Sequence, residues 1–324
     1  MSDIPNRMRA AVIDRFGGPE VLHVDMLPVP VIEPNEVLIA LHTSGVGSWD
    51  ADIRGGWYPS GRPKFPIVLG TDGAGTIAAV GSRIRRFKVG DNVYSYSWDS
   101  QFEKGGFYAE YVAVIAEKVA HVPKLLLDLE HAGAIPTTGL TALQGIDEAL
   151  QVKRNESVII QGASGGVGTL AVQFAKLRGA RVIAIASGAA GVALVQLLGA
   201  DAAIDGHSKV LPSELKRVVP DGADALLALA GGKTLESCLE ALRPGGRCAY
   251  PNGVEPEPKK RLRVKIISYD AISDVGHFKR LNKAIEDAKL QVAIAASFDL
   301  GLAADAHRRL EAVHVLGKIV LRIR

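Results

Sequence analysis

NESVIIQGASGGVGTLAVQFAKLRGARVIA, residues 155–184, is the stretch whose reading decides the fold. Ser157 to Gln161 is a short apolar run of buried-strand type, and the turn Gly162, Ala163, Ser164, Gly165, Gly166, Val167, Gly168 follows it. Thr169 to Arg178 then places Leu170, Phe174 and Leu177 on one helical face, Gly179 stops the helix, and Arg181 to Ala186 is a second strand. This order of strand, glycine turn, helix and strand is expected to bind a dinucleotide. Ala163 stands as the first small residue, Gly165 lies where the backbone must approach a pyrophosphate, and Gly168 lies where helix and strand pack closely. The unpaired N–H groups at the start of such a helix face the phosphates.

Working outward, the alternation continues. Helices are expected over Val192 to Leu198, Ser213 to Val218 and Leu235 to Leu242, and strands over Ala202 to Ile204, Ala223 to Leu229 and Arg247 to Tyr250. Ahead of the glycine turn, Glu130 to Leu150 reads as helical segments interrupted at Pro136. The pattern predicts an α/β fold, a doubly wound parallel sheet of Rossmann type with its ligand at the strand C-termini. From Met8 to Tyr111 the signals change to short strands broken by Gly and Pro: Arg9 to Ile13, Val37 to His42, Gly75 to Val80, Asn92 to Ser95 and Ala109 to Val114. After Val264 a helix over Phe278 to Leu290, a strand over Val292 to Ser297, a helix over Leu302 to Leu316 and a last strand over Lys318 to Arg322 are expected. That last strand should return to the β-rich region. The expected division is therefore a dinucleotide domain over 126–263 and a β-rich substrate domain over 1–125 with 264–324. Trp57 and Tyr58, on a glycine-rich loop, are candidates to line its pocket.

Composition narrows the function. At 324 residues, 48% hydrophobic and 23% charged, with a formal charge of +3, the chain has material for two cores and too little excess charge for a nucleic-acid partner. Its one basic cluster, Lys259, Lys260, Arg261, Arg263 and Lys265, reads as a solvated segment. Two cysteines, Cys238 and Cys248, suit neither a cysteine-only zinc site nor a disulfide scaffold. No run approaches the roughly 18 apolar residues of a membrane span, and the N-terminus lacks a signal-peptide run, so a cytoplasmic protein is expected.

The chain resembles the medium-chain dehydrogenase/reductase superfamily, and within it the zinc-independent quinone oxidoreductases related to zeta-crystallin. The resemblance runs through MRAAVIDRFGGPEVL (8–22), SGVGSWDADIRGG (44–56), LGTDGAGTIAAVG (69–81), FKVGDNV (87–93), GGFYAEY (105–111), TTGLTAL (137–143), the glycine turn and LGKIVL (316–321). It implies a GroES-like catalytic domain beside the Rossmann domain. Zinc-dependent relatives hold their metal with a Cys and a His-Glu pair at positions that here are Gly47, Thr71 and Asp72, and glycine and threonine supply neither thiolate nor imidazole. No metal is expected. Asp50 is read as a loop cap or pocket residue, and His307 and His314 as surface histidines rather than ligands.

Without a Lewis acid, the acceptor must delocalise the incoming charge itself, as quinones and α,β-unsaturated carbonyls do. The resemblance thus implies hydride transfer to a small hydrophobic quinone or enone, with no obligatory acid-base side chain. An enoyl-thioester reductase, and a dinucleotide-binding protein with a structural or RNA-binding role, are the alternatives. By family position, Ala163, Ser164, Gly165, Gly166, Val167 and Gly168 hold the pyrophosphate, Thr141 lies near the nicotinamide, and Asn252 and Gly253 face its carboxamide. Gly47 stands where the family has Asn, with Ser48 as its substitute, and Ser48, Trp49 and Tyr58 are the substrate-pocket candidates. The second strand ends without an acid, which favours NADP(H) over NAD(H), although the family's phosphate-binding Lys and Tyr are replaced by Gly191 and Gly206. Ser187, with His207 or Lys209, is left to meet the phosphate. A homodimer is expected, its sheets joined along Ala225 to Leu229 or Arg247 to Tyr250.

Overall fold

The computed structural model describes residues 4–58, 62–123, 128–312 and 315–324, apart from the side chain of Glu103. The chain divides into two compact units, one of Met1–Thr137, Ser273–Asn282 and Ile294–Arg324, the other of Thr138–Ile272 and Lys283–Ala293.

In the second unit, six parallel strands lie in the order Ala202–Asp205, Arg181–Ala186, Ser157–Gln161, Ala223–Ala228, Leu242–Pro251, Lys265–Tyr269. Ser157–Gln161 is central because it is apolar on both faces: Val158, Ile159 and Ile160 are fully buried, and each such side chain contributes about 2 kcal/mol. The chain leaves this strand toward one side of the sheet and later returns on the other, so its C-terminal end is the switch point where open α/β sheets bind ligands. The sheet runs one strand past the expected boundary at 263. Lys265–Tyr269 pairs in parallel with Leu242–Pro251. Consequently Ala223–Ala228 and Leu242–Pro251 are interior strands, and neither offers the free edge expected for a dimer; the edges are Lys265–Tyr269 and Ala202–Asp205. The helical segments are interrupted at Pro136 as expected: the short helix Leu129–Gly133 ends before it, and Pro136 opens the next, Pro136–Gln144. Cys238 and Cys248 are unbonded and buried, and burial pushes the Cys248 thiol up to about 12.

In the first unit, the long strand Glu36–Val46 organises a seven-stranded sheet. Asp72–Val80 and Lys318–Arg322 pair with it in antiparallel fashion, Tyr111–Ile115 adds to it, and Asn92–Tyr96, Val119–His121 and Ile294–Asp299 extend the sheet. The last strand does return to the β-rich unit. A smaller antiparallel sheet joins His23–Pro28, Arg7–Ile13 and Ile67–Val68. No helix among the described residues is long and apolar enough to cross a membrane.

Candidate active site

The glycine turn is built by exclusion of side chains. A Cβ on Gly168 would lie 2.6 Å from the Cα of Ala163 and overlap the carbonyl oxygen of Gly162, so only glycine lets helix Gly166–Leu177 close on the strand before it. Gly165 is the reverse case. A Cβ there would meet only the Gly162 oxygen at 3.5 Å, which leaves an open cradle at the helix start, and no side chain caps that N-terminus. An uncapped helix start beside open space fits a pyrophosphate. Ser164 Oγ accepts from the Ser187 amide at 3.2 Å, which ties the turn to the end of the second strand.

At that end sits a corner only partly expected. Ser187 Oγ and His207 Nε2 are 2.9 Å apart, and Asp205 Oδ1 accepts from the amides of Gly188 and His207, both at 3.0 Å. Those two N–H groups hold the Asp205 carboxyl below its usual range. The acid sought at the end of the second strand is thus present at the end of the third, since Asp205 is the register partner of Ala186. Helix Gly188–Leu197 begins directly after Ser187, in residues expected to form a loop, and contains Gly191. Tyr269, not singled out in the sequence, links two expected residues: its hydroxyl donates to the Thr141 carbonyl at 2.9 Å, and its carbonyl accepts from the Asn252 amide at 3.0 Å. Asn252 Nδ2 donates to Asp270 at 2.7 Å, and Gly253 has φ of +93° beside open space.

In the β-rich unit, the indole of Trp49 occupies the space over Gly47. A Cβ on Gly47 would collide with Cε2 and Cζ2 of that ring, and Trp49 Nε1 donates to Thr71 Oγ1 at 2.8 Å. Two positions at which zinc-dependent relatives bind metal are therefore joined by one aromatic side chain. They do not fit a zinc ion, and among the described residues no group of three His, Cys, Asp or Glu side chains is placed to hold one. Lys318 lies over the same ring, its Nζ 4.8 Å from the centroid. Asp50 is a cap, as expected, taking the Gly47 amide at 2.8 Å, but it is also the end of a buried chain. Arg54 Nη1 donates to His307 Nδ1 at 2.9 Å, His307 Nε2 lies 3.2 Å from the Tyr108 hydroxyl, and that hydroxyl donates to Asp50 Oδ2 at 3.2 Å. Burial pushes Asp50 up to about 7, against the Gly47 N–H and the Lys318 ammonium, and burial followed by Arg54 pushes His307 down to about 3. His307 is thus fully buried rather than a surface histidine; His314 lies outside the described residues. Ser48 is exposed. Tyr58 belongs to a separate aromatic patch, 5.1 Å from Phe102 and 6.5 Å from Phe16, with Trp57 5.6 Å from Trp98.

Comparison with known proteins agrees with both units. Residues 33–124 match the alcohol dehydrogenase GroES-like domain model, and residues 166–286 match the zinc-binding dehydrogenase model. The chain is 31% identical to the quinone oxidoreductase of Mus musculus over 96% of each chain. The chain belongs to the zinc-independent quinone oxidoreductase family of the medium-chain dehydrogenases/reductases. As a member of that family it is an oxidoreductase that uses a nicotinamide cofactor. It is also 30% identical to the chloroplastic NADPH-dependent alkenal/one oxidoreductase of Arabidopsis thaliana, over 99% of this chain and 81% of the other. A solved structure described as an NAD-dependent alcohol dehydrogenase superimposes with a TM-score of 0.90 at 33% identity, over 98% of this chain and 100% of that one.

Against this family pattern, the glycine at 47 has a local cause, because the Trp49 ring fills the room an Asn side chain would need. The tryptophan was visible in SGVGSWD, but nothing in that motif says which neighbour its ring covers.

Proposed function

We propose that this quinone oxidoreductase relative is a metal-independent, NADPH-preferring reductase of small hydrophobic quinones and α,β-unsaturated carbonyls, working as a cytoplasmic homodimer. The observation that carries the reading is the Trp49 side chain bonded to Thr71 across Gly47, where a metal would otherwise polarise the acceptor. The nicotinamide, when bound, supplies the hydride. The turn Ala163 to Gly168 binds the pyrophosphate, Thr141, Asn252 and Gly253 orient the nicotinamide end, and Ser187 meets the adenosine ribose. Gly47, Ser48 and Trp49 form the floor of the substrate site. The aromatic patch supports a flat acceptor: Trp57 and Phe65 are 50% and 38% exposed and pack with Trp98, Phe16, Tyr58 and Phe102, which favours stacking against a ring. Excluding water while the acceptor spreads its own charge leaves the protein mainly a positioning task. The open edge strand Lys265–Tyr269 supplies unpaired backbone groups for a two-fold sheet continuation.

The test is direct. Purified protein, dialysed against a chelator, should oxidise NADPH when given an ortho-quinone or a small conjugated ketone, and added zinc should not raise the rate. Failure to oxidise either nicotinamide with these acceptors overturns the reading, and turnover confined to an enoyl thioester replaces it with that alternative. Sedimentation that yields a monomer refutes the dimer.

A further inference from the structure

We propose that the Ser187–His207 pair is a protonation-controlled reader of the cofactor's ribose 2′-phosphate, so that preference for the phosphorylated dinucleotide weakens as pH rises. The inference rests on the reading of this chain as an NADPH-preferring reductase and concerns the same nucleotide site.

The corner holds opposing charges in a small space. Asp205 is pinned by the amides of Gly188 and His207, which favour its ionised form and hold a negative charge next to the end of the second strand. A 2′-phosphate placed there is repelled by that carboxylate, whereas an unmodified ribose diol is accepted by it. Attraction must come from elsewhere, and Gly191 and Gly206 offer no side chain. His207 is exposed and its Nε2 lies 2.9 Å from the Ser187 hydroxyl, and the amide of the same Ser187 is tied to the glycine turn through Ser164 Oγ.

Protonation changes two donors at once. With the imidazole neutral and the proton on Nδ1, Nε2 accepts the Ser187 hydroxyl proton, and that hydroxyl is spent. With the imidazole protonated, Nε2–H donates to Ser187 Oγ, and the hydroxyl proton is released toward a phosphate oxygen. The imidazolium at the same time supplies the positive charge that offsets Asp205. Besides Asp205, the charged residues of the elements around the pair are Arg181 at the start of the second strand, Lys209 in the loop that follows His207, and Lys233, Glu236 and Glu240 of helix Lys233–Glu240, whose two carboxylates face Arg261 and whose Thr234 donates to the Gly206 carbonyl at 3.1 Å. Of the side-chain types gathered here, imidazole is the one whose charge changes between about pH 5 and 8. The ligand's own ionisation works the other way, because a phosphate monoester gains negative charge as pH rises through about 6. A preference that falls with pH therefore reports the protein.

The experiment is calorimetric titration of the full-length protein with adenosine 2′,5′-bisphosphate and with AMP, which isolates the 2′-phosphate and needs no turnover. At pH 6 the bisphosphate should bind about tenfold more tightly than AMP, the scale of one charge-assisted hydrogen bond, and by pH 8.5 the advantage should shrink to about threefold or less. His207→Gln should remove the advantage at both pH values, and His207→Lys should keep it at both. A wild-type advantage that does not change with pH, or one that survives in His207→Gln, overturns the proposal while leaving the nucleotide site intact. Binding of neither nucleotide overturns this proposal and the cofactor reading together.

Discussion

Gly168 and Gly47 are both glycines without which their surroundings collide, yet they are enforced by different things. At Gly168 the obstacle is main chain, the Gly162 carbonyl and the Ala163 Cα, which helix and strand hold in place. At Gly47 the obstacle is the Trp49 side chain, which has other rotamers. The first glycine belongs to the fold and its motif. The second belongs to one neighbour, and it changes if that neighbour changes.

Gly168→Ala gives the largest expected effect. Because backbone cannot yield cheaply, the variant should lose about 3 kcal/mol in urea unfolding and bind either dinucleotide at least about tenfold more weakly. Gly47→Asn should cost about 2 kcal/mol, since the indole must leave its place and its bond to Thr71, and most of that loss should disappear when Trp49→Ala is added. A double variant no more stable than the single one would mean that main chain, not the indole, enforces Gly47. Thr71→Val is the mildest change, removing only the acceptor of the indole N–H; a loss of about 1 kcal/mol is expected, with the ring still over Gly47. If Thr71→Val instead matched Gly47→Asn in cost, the hydrogen bond rather than the packing would be what holds the ring.

The same contrast separates what was legible in the sequence from what was not. Strands such as Ser157–Gln161, Arg181–Ala186 and Lys318–Arg322 announce themselves through contiguous apolar runs between turns, and their bounds agree with the sequence reading residue for residue. Lys265–Tyr269 escaped because it is an edge strand, only partly buried, that follows directly on a charged segment. His23–Pro28 escaped for a similar reason, as nearly all its residues are exposed. At the site, the glycine turn was readable because its physics is local. The Tyr108 hydrogen bonds to Asp50 and His307 span 58 and 199 residues, a separation at which no spacing rule operates. His307 looked like a surface residue on an amphipathic helix until the fold placed it against Tyr108.

That buried line from His307 through Tyr108 to Asp50 has a thermodynamic consequence. In the unfolded chain at pH 5 to 6 a proton resides on the imidazole and the carboxyl is ionised, with ordinary values of 6.5 and 3.8; in the folded chain the carboxyl, at about 7, holds the proton, and the imidazole, at about 3, does not. Folding thus relocates one proton within the molecule and takes none from solvent, so the pair adds almost no pH slope between about 4 and 6.5. Each residue alone would. The raised Asp50 contributes stability that is full below the unfolded value and declines as pH rises through about 7, whereas the depressed His307 contributes stability that is full above 6.5 and declines as pH falls toward about 3. Relative to wild type, Asp50→Asn should therefore gain stability with rising pH across this window, and His307→Gln should lose it, each by up to about 1.4 kcal/mol per pH unit in chemical unfolding. Parallel curves for all three proteins would show that the two groups do not exchange the proton. The buried pair acts as an internal buffer, insulating the fold from acidity that either residue alone would transmit to it.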